Sequence, residues 1–137
     1  MRVLVDTSVW SLALRRETPS RHPETEELRN LVASHVVEII GPVRQELLSG
    51  VRDQEQVARL ASSLAAFPDL PLLTDDYVLA AKFFNLCRSK GIQGSNTDFL
   101  ICAAAVRAKL SIFTTDLDFG RYRTCLPITL YEKGSFL

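Results

Sequence analysis

Neither sign of charge is in excess: the chain has 16 basic and 16 acidic side chains and a formal net charge of +0. That balance removes the global electrostatic case for a protein that coats nucleic acid, because such proteins present a net positive field to phosphates. It leaves room for an enzyme that reaches phosphates through bound cations and a local basic rim. Cysteine is sparse. Cys87, Cys102 and Cys125 are odd in number and widely spaced, and make neither a disulfide framework nor a zinc pattern. Cys87 and Cys102 fall in apolar helical stretches, where reduced core thiols are expected, and a reducing cytoplasm follows. No apolar run approaches the ~20 residues of a membrane span, so no membrane is expected. The chain opens on a strand pattern rather than on a signal peptide. Repeats, low-complexity runs and a linker long enough to divide the chain are all missing. So is a glycine-rich phosphate loop; Gly91 and Gly94 read as helix punctuation. His22 and His35 make no metal pair or triad with a carboxylate at helical spacing. His35 shares the face of Leu28, Leu31 and Val32, and reads as a semi-buried, hydrogen-bonded histidine.

What is present is a 137-residue chain, 47% hydrophobic, which suits one globular domain over residues 1–137 that buries its core without staples. Val3-Leu4-Val5 reads as a buried parallel strand. Asp6-Thr7-Ser8 offers capping residues to a helix with Val9, Trp10 and Leu12. Arg15 to Pro23 is polar and reads as a loop. From Glu24, Leu28, Leu31 and Val32 recur at helical spacing. Val36 to Ile40 is a second strand, stopped at Gly41-Pro42, and Pro42 suits the first position of a short helix ending at Ser49-Gly50. Val57, Leu60, Ala61 and Leu64 mark another helix. Leu70 to Leu73 is a short strand or an extended link. Thr74 is a candidate cap for a helix carrying Val78, Leu79, Phe83 and Leu86. Phe99 to Ala108 is a helix apolar on most sides and therefore buried. Ser111 to Thr115 and Ile128 to Tyr131 are the last strands. Strands alternating with helices predict a three-layer α/β/α domain with a mostly parallel sheet.

Acidic residues stand where the apolar segments end. Asp6 follows the first strand, Glu46 lies on the helix after the second, Asp98 opens the buried helix, and Asp116 follows Ser111–Thr115. Ligands of an open α/β sheet bind at the carboxyl ends of its strands. Carboxylates gathered there repel one another unless a cation intervenes, and an all-oxygen donor set suits Mg²⁺ or Mn²⁺. Each acid also has an ordinary reading. Asp6 is a good helix cap, although Thr7 and Ser8 can serve that purpose. Glu46 reads equally as a solvated helix charge. Ser95-Asn96-Thr97-Asp98 has the form of a capping box. Asp116 and Asp118 fit an Asp-rich turn. The hydroxyls of Thr114 and Thr115 are placed to orient a carboxylate or hold a water.

These residues, taken in order, resemble the PIN-domain ribonucleases, and among them the VapC-type toxins of toxin–antitoxin modules. Met1-Arg2-Val3-Leu4-Val5-Asp6-Thr7-Ser8-Val9-Trp10 is similar to the family's opening strand and first acid. Val43-Arg44-Gln45-Glu46-Leu47-Leu48 resembles its second motif, Thr97-Asp98-Phe99-Leu100-Ile101-Cys102-Ala103-Ala104-Ala105 its third, and Phe113-Thr114-Thr115-Asp116-Leu117-Asp118-Phe119 its fourth. Each motif is weak alone; four in order over the whole chain are specific, and no catalytic position is missing. The resemblance implies a PIN-like α/β/α fold and a Mg²⁺- or Mn²⁺-dependent endoribonuclease. Asp6, Glu46, Asp98 and Asp116 are its implied metal-holding and catalytic residues, with Thr7, Ser8, Thr115 and Asp118 in support. It further implies an RNA substrate, a homodimer and a cognate antitoxin whose peptide blocks the cleft.

Two rivals remain. An aspartyl-phosphate phosphatase would place a second Asp two residues after Asp6, where Ser8 stands; a phospho-acceptor domain would place a Lys soon after Ser111–Thr115, and none follows. A non-catalytic binding module with the same fold would be marked by lost acids, and all four are present. Trp10 reads as core or, if exposed, as a partner surface. Arg15, Arg16, Arg44, Arg52, Arg121 and Arg123 lie in or beside loops, where those near the acids suit phosphate contacts.

Overall fold

Four strands form one sheet in which every neighbouring pair is parallel. The computed structural model describes residues 1–14 and 22–132. In chain order the elements are β1 (Val3–Val5), α1 (Thr7–Leu14), α2 (Pro23–Ala33), β2 (Val37–Glu38), α3 (Gly41–Ser49), α4 (Gln54–Leu64), α5 (Thr74–Ser89), α6 (Asn96–Ala108), β3 (Ser111–Phe113), α7 (Asp118–Tyr122) and β4 (Thr129–Leu130). The sheet order is β2-β1-β3-β4, with helices flanking it in a three-layer α/β/α arrangement. Val3, Leu4 and Val5 are wholly buried, as a central strand covered on both faces must be. Helix α1 packs on α2 and α3, α3 on α4, and α5 on α6, which lies against β3.

From β1 the chain crosses to β2 on one side and returns to β3 on the other, so the direction of winding reverses between β1 and β3. That is where an open α/β sheet leaves a crevice at its carboxyl edge. The register Val5↔Phe113, extended by the Asp6 N–H donating to the Phe113 carbonyl at 2.8 Å, brings the segments after these two strands side by side.

Several elements differ from the sequence expectation. The β2 ladder is confined to Val37 and Glu38; Ile39 makes an isolated bridge to Asp69 and its carbonyl accepts the Leu70 N–H at 2.8 Å. Leu70–Leu73 is thus a link, not a strand. Strand β3 ends at Phe113 rather than Thr115, because the next residues turn towards Asp6 and Ser8. Helix α5 takes Leu73, not Thr74, as its cap; the Asp76 carboxylate accepts the Leu73 N–H at 2.8 Å. Helix α6 starts at Asn96, earlier than Phe99, since the Ser95 hydroxyl accepts the Asp98 N–H at 3.1 Å. Pro42 is in the first turn of α3, but Gly41 opens it.

His35 is exposed rather than semi-buried, and its backbone is left-handed at φ 60°. Helix α2 has ended by then, and the chain reverses there into β2. Of the predicted polar loop, residues 15–21, with Arg15 and Arg16, lie outside the described residues, and Pro23 already belongs to α2. Trp10 is core: it is 4% exposed and meets Phe67 edge-on at 5.2 Å, a favoured aromatic geometry. Cys87 and Cys102 are buried free thiols. The wide sequence spacing nevertheless closes to 3.3 Å between the sulfurs of Cys87 and Cys125. Among the described residues no helix is long and apolar enough to cross a membrane.

Candidate active site

Asp6 is the first residue beyond β1 and is 5% exposed. A carboxylate so placed must find donors, and the neighbouring strand supplies one. The Thr114 hydroxyl donates to Asp6 Oδ2 at 2.8 Å, and the Ser8 hydroxyl, two residues along the chain, donates to the same oxygen at 2.9 Å. Burial pushes the Asp6 pKa up; the bonds from Thr114, Ser8 and the Thr7 backbone pull it back, and the charge of Asp116 raises it again.

Asp98 sits in the first turn of α6, half-buried. The capping role falls to Ser95, and the Asp98 carboxylate is engaged elsewhere: its Oδ2 accepts the Tyr122 hydroxyl at 2.7 Å. Burial again raises the pKa most, the Tyr122 bond lowers it, the charge of Asp6 raises it, Ser95 lowers it and the charge of Asp116 raises it. Asp116 follows β3, where its N–H donates to the Thr114 hydroxyl at 2.9 Å and its Oδ1 accepts the Asp118 N–H at 2.9 Å. That second bond stabilises the start of α7, a short helix where only a turn was expected. Glu46 is exposed on α3 and accepts the Thr7 hydroxyl at 2.7 Å, which ties it to the residue next to Asp6.

The fold therefore brings Asp6, Asp98 and Asp116 within electrostatic reach of one another, with Glu46 joined through Thr7. It does not close them into a cage. Among the described residues no three metal-ligating side chains stand close enough to form a ready-made cluster. Mg²⁺ fits such an open set: it keeps several waters and takes one or two carboxylates rather than an all-protein shell. The charge balance fits as well. Among the described residues, the ion pairs with Lys or Arg involve Glu38, Glu26, Asp69 and Asp76, so none of Asp6, Glu46, Asp98 and Asp116 is neutralised by a protein cation.

Each supporting residue has its own contact with the site. Thr114 is the threonine whose hydroxyl holds Asp6, while Thr115 contributes its backbone N–H to the Ser8 hydroxyl at 3.1 Å; Asp118 supports Asp116 through its backbone N–H, and its side chain is exposed at the start of α7. Arg44 is committed to structure: it donates to Asp69 at 2.9 Å, to the Leu64 carbonyl at 3.0 Å and to the Phe67 carbonyl. All three of its guanidinium nitrogens are thereby engaged, whereas Arg52, Arg121 and Arg123 are exposed. Tyr122 has no signal in the sequence that would mark it as part of the site. Two concave regions, one lined by Tyr77, Phe84 and Phe99 and one by Lys109, Pro127 and Ile128, do not include the acids.

The sequence matches the PIN domain family over residues 3–124. No curated protein matches it. Solved structures of similar fold include FitAcB from Neisseria gonorrhoeae, at 21% identity and a TM-score of 0.74, covering 95% of this chain and 96% of that one. VapBC2 from Rickettsia felis, bound to a DNA fragment from its promoter, is similar at 18% identity and a TM-score of 0.75 over 96% of this chain and 98% of that one. VapBC-5 from Mycobacterium tuberculosis, of the VapBC family of toxin–antitoxin systems, is similar at 18% identity and a TM-score of 0.67 over 96% and 99%.

Proposed function

The chain belongs to the PIN domain family, and from that premise we propose that it is a Mg²⁺- or Mn²⁺-dependent endoribonuclease, the toxin of a toxin–antitoxin pair. The observation that carries this reading is the meeting of Asp6, Asp98 and Asp116 at the crevice between β1 and β3, mutually repelling and without a protein cation among the described residues. Holding unpaired like charges together is costly, and a site that accepts a divalent cation offsets that cost.

Asp6, Glu46, Asp98 and Asp116 would hold one or two cations, directly or through water. The chemistry a cation supplies there is a lowered pKa for an attacking water and neutralisation of charge growing on the phosphate. The protein's own part is orientation. Ser8 and Thr114 converge on one oxygen of Asp6 and so set the plane of its carboxylate. Thr7 restrains Glu46, and Asp116 shapes the turn that positions α7. Arg121 and Arg123, exposed at α7, are suited to phosphate oxygens of a bound strand. Single-stranded or looped RNA fits an open edge of this kind, because its backbone can be splayed across it. A homodimer and an antitoxin segment lying over the acids complete the reading, supported by the similarity to members of toxin–antitoxin systems.

The test is cleavage of RNA by the purified chain with Mn²⁺, with EDTA, and with the Asp6→Asn substitution. Cleavage should be abolished by EDTA and fall by about a hundredfold or more in the variant, since even ~1 Å of misplacement costs that much. Expressed without an antitoxin, the native chain should arrest growth and the variant, at equal abundance, should not. Growth arrest by both chains with no EDTA-sensitive cleavage would favour the binding-module rival and defeat the nuclease.

A further inference from the structure

We propose that Tyr122 is a positioning residue of this site: its hydroxyl holds the Asp98 carboxylate in the orientation that receives a cation, in a slot that Gly94 keeps open for it. The proposal rests on the reading of the acids as a cation site, and extends it to two residues outside the acidic motifs.

Tyr122 is wholly buried. Its ring is wedged between Phe99 of α6, at 5.0 Å, and Phe119 of its own helix, at 5.1 Å. A phenylalanine would fill that aromatic cluster equally well, so packing does not account for the hydroxyl. Burying a hydroxyl costs free energy unless it is hydrogen-bonded, and its partner is Asp98 Oδ2 at 2.7 Å. Asp98 is thereby restrained from two sides, by Ser95 through its backbone N–H and by Tyr122 through its carboxylate.

Gly94 is the second observation. A Cβ at that position would lie 2.3 Å from the Tyr122 hydroxyl oxygen, 2.7 Å from the adjoining ring carbon and 3.0 Å from Phe99. The ring is flanked by Phe99 and Phe119, so a side chain at 94 would displace a packed, hydrogen-bonded phenol. Gly94 does not have the left-handed φ of Gly91, so what requires a glycine here is the close approach of the phenol. The loop before α6 is thus shaped around the group that grips the first acid of α6.

The experiment measures Mn²⁺ binding to the full chain by the paramagnetic resonance of free ion, in the native protein and in Tyr122→Phe, Gly94→Ala, Asp98→Asn and the double variant Tyr122→Phe/Asp98→Asn. Partners that orient metal ligands typically contribute 10–100-fold in affinity, so Tyr122→Phe should weaken Mn²⁺ binding by about tenfold or more, while the metal-free fold is retained. Gly94→Ala should give a comparable loss with the tyrosine still present. The double variant should bind no more weakly than Asp98→Asn alone, because the interaction acts through Asp98. Native affinity in Tyr122→Phe, with affinity lost in Asp98→Asn, would reduce the bond to satisfaction of a buried hydroxyl and overturn the proposal while leaving the cation site standing. Native affinity in Asp98→Asn would overturn the cation site itself, and the proposal with it.

Discussion

Asp6 carries the clearest consequence at the scale of single residues. Its folded-state pKa is raised above the ordinary value of 3.8, with burial the largest cause. A carboxyl raised by folding contributes stability that is fully present below about pH 3.8, where both states are protonated, and lost as pH rises through the folded value. In the absence of cations the ionised Asp6 is therefore a liability at neutral pH. Asp6→Asn keeps the shape and removes the charge. In EDTA it should melt higher than the native chain at pH 7, and the difference should shrink as pH is lowered through the acid range. Calorimetry across that range checks the sign; a variant less stable at pH 7 would mean that Thr114 and Ser8 outweigh burial. The same measurement separates loss of activity from loss of fold.

Among the elements, α5 and α6 form the most extensive helix pair, and their junction holds an acid that no sequence motif marks. Asp76 is wholly buried and accepts both from the Leu73 N–H, at 2.8 Å, and from Arg107, which also donates to the Pro71 carbonyl at 2.9 Å. The start of α5 is thus clamped to the end of α6. Removing one partner leaves a buried charge uncompensated, which typically costs about 3–5 kcal/mol; because the Arg107 side chain is 31% exposed, about 2–3 kcal/mol is expected for Arg107→Ala. Urea denaturation reads this as a lowered midpoint at unchanged slope. A loss below about 1 kcal/mol would mean that water replaces the guanidinium at little cost.

For the molecule as a whole, the order β2-β1-β3-β4 sets the segments after β1 and β3 side by side, with Asp6, Asp98 and Asp116 in electrostatic reach of one another; on the proposed reading, a cation bound there would make stability a function of cation concentration. A ligand that binds only the folded state stabilises it by roughly 2.7 kcal/mol at a hundredfold excess over its Kd. Mn²⁺ should raise the melting temperature by several degrees, EDTA should reverse the rise, and Asp98→Asn should blunt it. A melting temperature indifferent to Mn²⁺ in the native chain would remove the basis for cation-assisted chemistry here.

The amino-acid sequence by itself determined the features that depend on neighbours in the chain. Val3–Val5 is a buried strand because three apolar residues are followed by the polar Asp-Thr-Ser; α6 is buried because its helical positions are apolar on most sides; and Asp6 and Asp116 follow strands because they interrupt apolar runs. Its reach ended where contacts span the sheet. Thr114 meets Asp6 across 108 residues, Tyr122 meets Asp98 across 24, and Cys87 meets Cys125 across 38. No periodicity links such pairs, and a one-residue change of register would exchange the faces on which their side chains lie. Only the tertiary structure decided that Thr114 rather than Thr115 faces Asp6, that Arg44 is spent on Asp69 and two carbonyls, and that a tyrosine outside the acidic motifs grips Asp98. Parallel strands joined by long crossovers bring together residues that the chain keeps far apart.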